Sequence, residues 1–248
     1  YLGFYRTPPF PGLPQKFVGF DQYREILTSS YFSNSIRVTI TFALLTVPTG
    51  IVLGLLLAML ANQRLRGIGW YRTIFSSTVA TSVAVASVIF GTLLNPQVGL
   101  LPWLGITTNP SILDNPRWAL LAVAVTTIWQ NLGLSFIVMS SGLQAIPDEI
   151  MEASEVDGAG PVRRFVRVTL PLLSPTVFFA VVVGSIVAFQ SFGQIDLLTQ
   201  GGPIQKTNVL TYAIYQALRG EQNEGKAAVL AVALFAVTLV LKIGRAHV

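Results

Sequence analysis

The chain contains no cysteine, which excludes a disulfide framework and a thiolate metal site. Its one histidine is His247, next to the last residue, so histidine-based catalysis or ligation has no support. Charge is scarce too. Only 11% of the 248 residues are Asp, Glu, Lys or Arg, where a water-facing domain carries about 25%. With 52% of residues hydrophobic, the chain cannot cover itself with a polar surface, and lipid is the remaining solvent. Period-two alternation is missing, so the apolar runs do not read as half-buried strands. No G-x-x-x-x-G-K-[ST] phosphate loop occurs, so the chain itself is not expected to hydrolyse ATP. The net charge of +5 does not argue for nucleic acid. The basic residues lie in loops beside apolar runs, which the positive-inside rule explains.

What is present is a set of long apolar segments, at 36–61, 70–94, 118–143, 172–195 and 227–241. About 20 residues of helix cross a bilayer, so the pattern predicts an all-α membrane protein, a polytopic bundle of transmembrane helices. Arg64, Arg66 and Arg72 follow the first run, and Arg163, Arg164 and Arg167 lie between the third and fourth. If every run crosses, both basic loops share one side, which reads as cytoplasmic. Residues 1–35 are then extracytoplasmic, with nothing in the chain to translocate them. A preceding span is therefore expected, making these five of six, with a transmembrane domain over 36–241. The sequence KIGRAHV at 242–248 reads as a non-native tail. Trp70, Tyr71, Trp103 and Trp118 fall near span ends, where aromatic rings prefer the interface or pack on neighbouring helices.

None of the five runs carries an ionisable group near its middle; Arg37 and Asp196 are at edges. Ion-coupled carriers usually need such a group, so if solute moves uphill the energy enters elsewhere. The polar groups inside are neutral. Trp129, Gln130, Asn131 and Ser135 cluster in the third run, and Gln190, Ser191 and Gln194 follow at near-helical spacing in the fourth, beside Phe189 and Phe192. Amides, hydroxyls and rings suit an uncharged hydroxylated ligand, and they equally suit hydrogen bonding between helices. A membrane-bound enzyme has no nucleophile–base pair or metal ligands to draw on. An ion-coupled carrier of a small polar solute is the alternative that stays open.

The densest charge lies in the loop over 144–171. Asp148, Glu149, Glu152 and Glu155 recur at i, i+1, i+4 and i+7, which makes one acidic face of a helix. Pro147 suits its first position, and the acids suit its positive end. Asp157-Gly158 breaks the helix, and a second opens at Pro161. There Val162, Phe165, Val166 and Thr169 form a mainly apolar stripe opposite Arg163, Arg164 and Arg167, and Leu170-Pro171 ends it. A helix–turn–helix on the membrane surface results, whether a solvated elbow or a dock.

These residues resemble a known family. Glu152-Ala153-Ser154, then Asp157-Gly158-Ala159, then Val168-Thr169-Leu170-Pro171, with nine residues between Gly158 and Val168, resemble the EAA loop of bacterial ABC importer permeases. Ser154 replaces the usual Ala and Val168 the usual Ile. Gly142-Leu143-Gln144-Ala145-Ile146-Pro147, Leu198-Thr199-Gln200-Gly201-Gly202-Pro203 and Phe17-Val18-Gly19-Phe20-Asp21-Gln22-Tyr23 resemble the carbohydrate-uptake branch, nearest a sugar or glycerol-phosphate permease. The resemblance implies a permease subunit of the bacterial cell membrane, without a cofactor. Its partners would be two ATP-binding subunits, a second homologous permease and an extracytoplasmic solute-binding protein. Glu152, Ala153, Ser154, Asp157, Gly158 and Ala159 would dock an ATPase. Trp129, Asn131, Ser135, Gln190, Ser191 and Gln194 are the candidate contacts for a sugar-like solute.

Overall fold

A computed structural model describes residues 1–8, 14, 16–62, 67–105 and 109–243. Twelve α-helices form among them: α1 (Asp21–Leu27), α2 (Ser30–Ala61), α3 (Ile68–Ser76), α4 (Val83–Leu93), α5 (Leu100–Trp103) and α6 (Ala119–Gln144), then α7 (Asp148–Val156), α8 (Pro161–Arg164), α9 (Leu170–Phe189), α10 (Gly193–Leu198), α11 (Leu210–Tyr215) and α12 (Glu224–Ile243). The all-α expectation holds, apart from one ladder of two short strands, β1 (Tyr5–Arg6) and β2 (Lys16–Phe17), paired antiparallel. Among the described residues three helices are long and apolar enough to cross a membrane: Ser30–Ala61, Ala119–Gln144 and Pro161–Phe189. Ile68–Ala80 with Val83–Leu93 adds a fourth if that bent pair is one span. Arg64 and Arg66 lie outside the described residues, as does the tail from 244 onward.

The helix ends differ from the apolar runs because polar caps, not hydrophobicity, set them. Helix α2 starts six residues before the first run, where the Phe32 N–H donates to Ser29 Oγ (3.1 Å). Helix α12 likewise starts three residues early, with the Lys226 N–H donating to Asn223 Oδ1 (2.9 Å).

Two runs are not single helices. The run at 70–94 breaks in a hydroxyl-rich stretch, where Ser76, Ser77 and Thr78 each donate to a carbonyl three residues back (2.7–3.3 Å). Such bonds compete with the helix ladder. The chain tightens into a 3₁₀ turn at Ser77–Ala80 and is extended at Thr81. The Thr81 carbonyl left free there accepts from Gln130 Nε2 (3.3 Å). The run at 172–195 also ends early. Helix α9 stops at Phe189, whose carbonyl accepts from Thr211 Oγ1 (2.8 Å), and Gln194 belongs to the separate α10.

The chain packs as two units, Tyr1–Leu45 with Val83–Thr126 and Ile186–Val248, and Thr46–Ser82 with Thr127–Ser185. In the first, Phe42, Val123, Ile195, Val209 and Tyr212 form one core and Leu210, Ala213 and Leu230 another. Asn208 is fully buried there, its Nδ2 donating to Ser35 Oγ (3.4 Å), and the Leu210 N–H donates to Thr39 Oγ1 (2.8 Å). In the second unit Ile51, Ala58, Phe136, Met139, Leu143 and Leu173 make the core. The indole and phenol groups near predicted span ends do not join these three cores: Trp70, Tyr71, Trp103 and Trp118 are all exposed.

Small residues set the closest approaches in the second unit, as is usual where lipid removes the hydrophobic drive between helices. A Cβ on Gly54 of α2 would lie 2.7 Å from Ser135 Cβ and 2.9 Å from the Ser135 carbonyl carbon on α6. Gly54→Val should therefore destabilise the protein by about 1–3 kcal/mol. The reading is the thermal midpoint of the purified protein in detergent. An unchanged midpoint would contradict this packing.

Candidate functional site

The charged loop folds into two helical arms joined by a tight turn, all within the second unit. Asp148 and Glu149 occupy the first turn of α7, as the dipole favours. Pro147 stands one place further out than its sequence position suggested. It is the extended N-cap (φ −60, ψ 136), and its carbonyl accepts the Ile150 N–H (3.2 Å).

Helix α7 ends because Gly158 takes φ +72, which only glycine adopts readily. Its N–H donates to the Glu155 carbonyl and the Ala159 N–H to the Ser154 carbonyl, both at 3.0 Å. That two-bond cap satisfies the last carbonyls of the helix. Pro161 then opens α8 behind an extended Gly160, as its fixed φ allows.

The second arm does not stop at Leu170-Pro171 as the motif suggested; Pro161–Phe189 runs as one helix. Pro171 lacks an N–H, and its ring crowds the carbonyl four residues back. A π-helical turn over Phe165–Thr169 widens the backbone just before it, which moves that carbonyl aside and lets the helix pass.

The arms touch through their inner faces. Ser154 is buried and donates to the Met151 carbonyl (2.7 Å), while the buried Thr169 hydroxyl points to Met151 Sδ (4.0 Å). Across the turn Arg164 pairs with Glu155. Among the described residues no ion pair engages Glu149, Glu152 or Asp157. The tip is apolar as well as acidic, with Val156 87% and Val162 77% exposed. Helical spacing placed Val162 in a mainly apolar stripe opposite Arg163, Arg164 and Arg167, and gave no sign that it would stand exposed at the tip beside Val156.

Of the six expected docking residues, Glu152, Ala153, Asp157 and Gly158 are exposed and Ala159 is half-buried. Ser154 is buried, its small hydroxyl filling the inside of the elbow and donating to its own helix. The Arg164–Glu155 pair was also missed, because counting helical faces treats each arm alone and cannot see across a glycine turn.

The candidate solute contacts fall in both units. In the second, Trp129, Asn131 and Ser135 are half-buried on α6. Asn131 Nδ2 donates to the Thr127 carbonyl of its own helix (2.9 Å), and Ser135 packs on Gly54. In the first unit Gln190 is exposed just past α9, whereas Ser191 and Gln194 are buried, with Ser191 Oγ donating to Gln194 Oε1 (3.5 Å). The near-helical spacing expected of these three is broken by the non-helical residues at 190–192.

Residues 50–248 match the family described as the binding-protein-dependent transport system inner membrane component. The chain is 37% identical over 235 residues to the sn-glycerol-3-phosphate transport system permease protein UgpA of Agrobacterium fabrum (strain C58 / ATCC 33970), covering 93% of this chain and 80% of that protein. The UgpA of Rhizobium meliloti (strain 1021) is 35% identical over 244 residues, 96% and 82% of the two chains. The fold is similar to a bacterial ABC transporter involved in import of the acidic polysaccharide alginate, with TM-score 0.83, 24% identity and coverage of 93% and 83%. A second structure, of a bacterial alginate ABC transporter in complex with an alginate pentasaccharide-bound periplasmic protein, gives TM-score 0.78 at 25% identity over 90% and 79%. These likenesses favour an importer permease over an ion-coupled carrier, and they place ATP hydrolysis in a separate subunit. They agree with the motif over 152–171: this chain belongs to the family of binding-protein-dependent transport system inner membrane components.

Proposed function

We propose that the chain works beside a second homologous permease, two ATP-binding subunits and an extracytoplasmic solute-binding protein, importing a sugar, polyol or glycerol-phosphate solute. The elbow over 144–171 faces the cytoplasm and docks an ATP-binding subunit, while residues 1–35 lie outside. Closure of the ATPase pair then moves the elbow and rocks the spans between inward- and outward-facing states.

One observation carries the docking reading: an elbow capped at Gly158 that leaves Val156 and Val162 exposed beside Glu152 and Asp157. Burying a valine side chain is worth about 1.5–3 kcal/mol, so the tip gains by being covered. The acids around it set register and partner choice more than strength. A complementary groove has an apolar floor and a basic rim. The solute class is supported by the relatives' names and by spans without central charge. Proposed contacts are Trp129, Asn131 and Ser135 in one unit and Gln190, Ser191 and Gln194 in the other. Gln190 is the foremost of these because it is exposed.

Val156→Asp should leave membrane insertion intact while reducing co-purification of the ATP-binding subunit and abolishing uptake. Undiminished co-purification would remove the docking reading. Gly158→Glu adds backbone strain of about 1–2 kcal/mol and a bulky charge at the turn. ATP hydrolysis by the assembled transporter should continue while solute uptake falls, and normal uptake would count against the coupling role.

A further inference from the structure

Glu155 lies on the acidic arm at the spacing of Asp148 and Glu152, which would make it one more docking charge. Its geometry says otherwise. Its carboxylate is engaged by the Arg164 guanidinium, which sits on the other arm and is the less exposed of the two, at 24% against 64%. The carbonyl of the same residue accepts the Gly158 N–H. Glu155 is thus tied to the turn by its backbone and to the far arm by its side chain, while among the described residues Glu149, Glu152 and Asp157 make no ion pair.

The turn itself is sparsely packed. A Cβ at Gly158 or Gly160 would meet nothing within 4 Å, so contacts around those two glycines do little to fix the angle between arms. Side chains that do cross between the arms include the Thr169 hydroxyl on Met151 Sδ and the Arg164–Glu155 pair. An exposed ion pair adds little to overall stability. It can still choose between arm angles that otherwise differ little in energy, because an equilibrium shifts by the full difference in interaction between the two arrangements.

We propose that Arg164 and Glu155 are positioning residues that hold the elbow at its docking angle, and that Glu155 is not a contact for the ATP-binding subunit. The proposal rests on the docking reading above and divides its acidic face into two roles. Glu152 and Asp157 meet the partner. Glu155 works within the elbow, through Arg164.

The test is charge exchange in the complete transporter, with its partner permease, ATP-binding subunits and solute-binding protein reconstituted in vesicles. Glu155→Arg alone and Arg164→Glu alone each place like charges across the turn. Each should lower solute transported per ATP hydrolysed by about threefold or more, and the double exchange should restore it to within about twofold. A merely structural role would change the amount of assembled complex without changing that ratio, so the ratio is measured at equal complex. Single variants that couple normally would overturn the proposal. So would a double exchange as defective as Glu155→Arg alone, since Glu155 would then meet the partner directly. Val156→Asp serves as the control for docking itself. If it disrupts co-purification while the exchange series fails, the dock stands and the brace falls; if it changes nothing, both readings fall.

Discussion

In a bilayer every backbone N–H and C=O must find its partner inside the protein, because lipid offers none. A helix that breaks at membrane depth frees a few such groups at once, and two breaks among the described residues are each met by a side chain. Thr81 loses its helical role and its carbonyl takes the Gln130 amide. Phe189 ends α9 and its carbonyl takes the Thr211 hydroxyl. The Leu210 N–H, at the start of α11, goes to Thr39, and the Gly133 N–H takes Thr78 Oγ1 as a further acceptor (2.8 Å). The neutral polar residues of the spans therefore have an architectural task before any ligand is considered. Gln130 is such a case, and it shows why a polar cluster in a membrane helix is a poor guide to a solute site by itself.

The same constraint explains what could be read from the residues and what could not. Apolar length found the positions of α2, α6 and α12 within a few residues, since burial of long runs in lipid depends on composition. The ends were misplaced because Ser29 and Asn223 cap them from outside the apolar window. The broken runs were missed for a related reason: hydropathy sums over Ser76, Ser77 and Thr78 without noticing that their hydroxyls bond their own backbone.

The elbow was more legible, because its signals are local. Gly158 needed a left-handed turn and Pro161 a helix start, and both conformations follow from single residues. What depended on the third dimension stayed hidden. Ser154 sits in a motif whose neighbours face out, yet it turns inward to Met151. Pro171 looked like a stop, but the wide turn ahead of it carries the helix onward. Spacing told which residues share a face; it could not tell which face meets another arm.

That unbroken helix from Pro161 to Phe189 has a mechanical consequence. At about 1.5 Å per residue its 29 residues form a rod roughly 43 Å long, with the basic arm of the elbow as its near end. A rod converts a small tilt at one end into a larger excursion at the other: about 5° moves the far tip by roughly 4 Å, most of a helical turn. On the docking reading, a shove on the elbow would reach the far end of such a helix enlarged, provided that the wide turn at Phe165–Thr169 and the helix around Pro175 stay stiff.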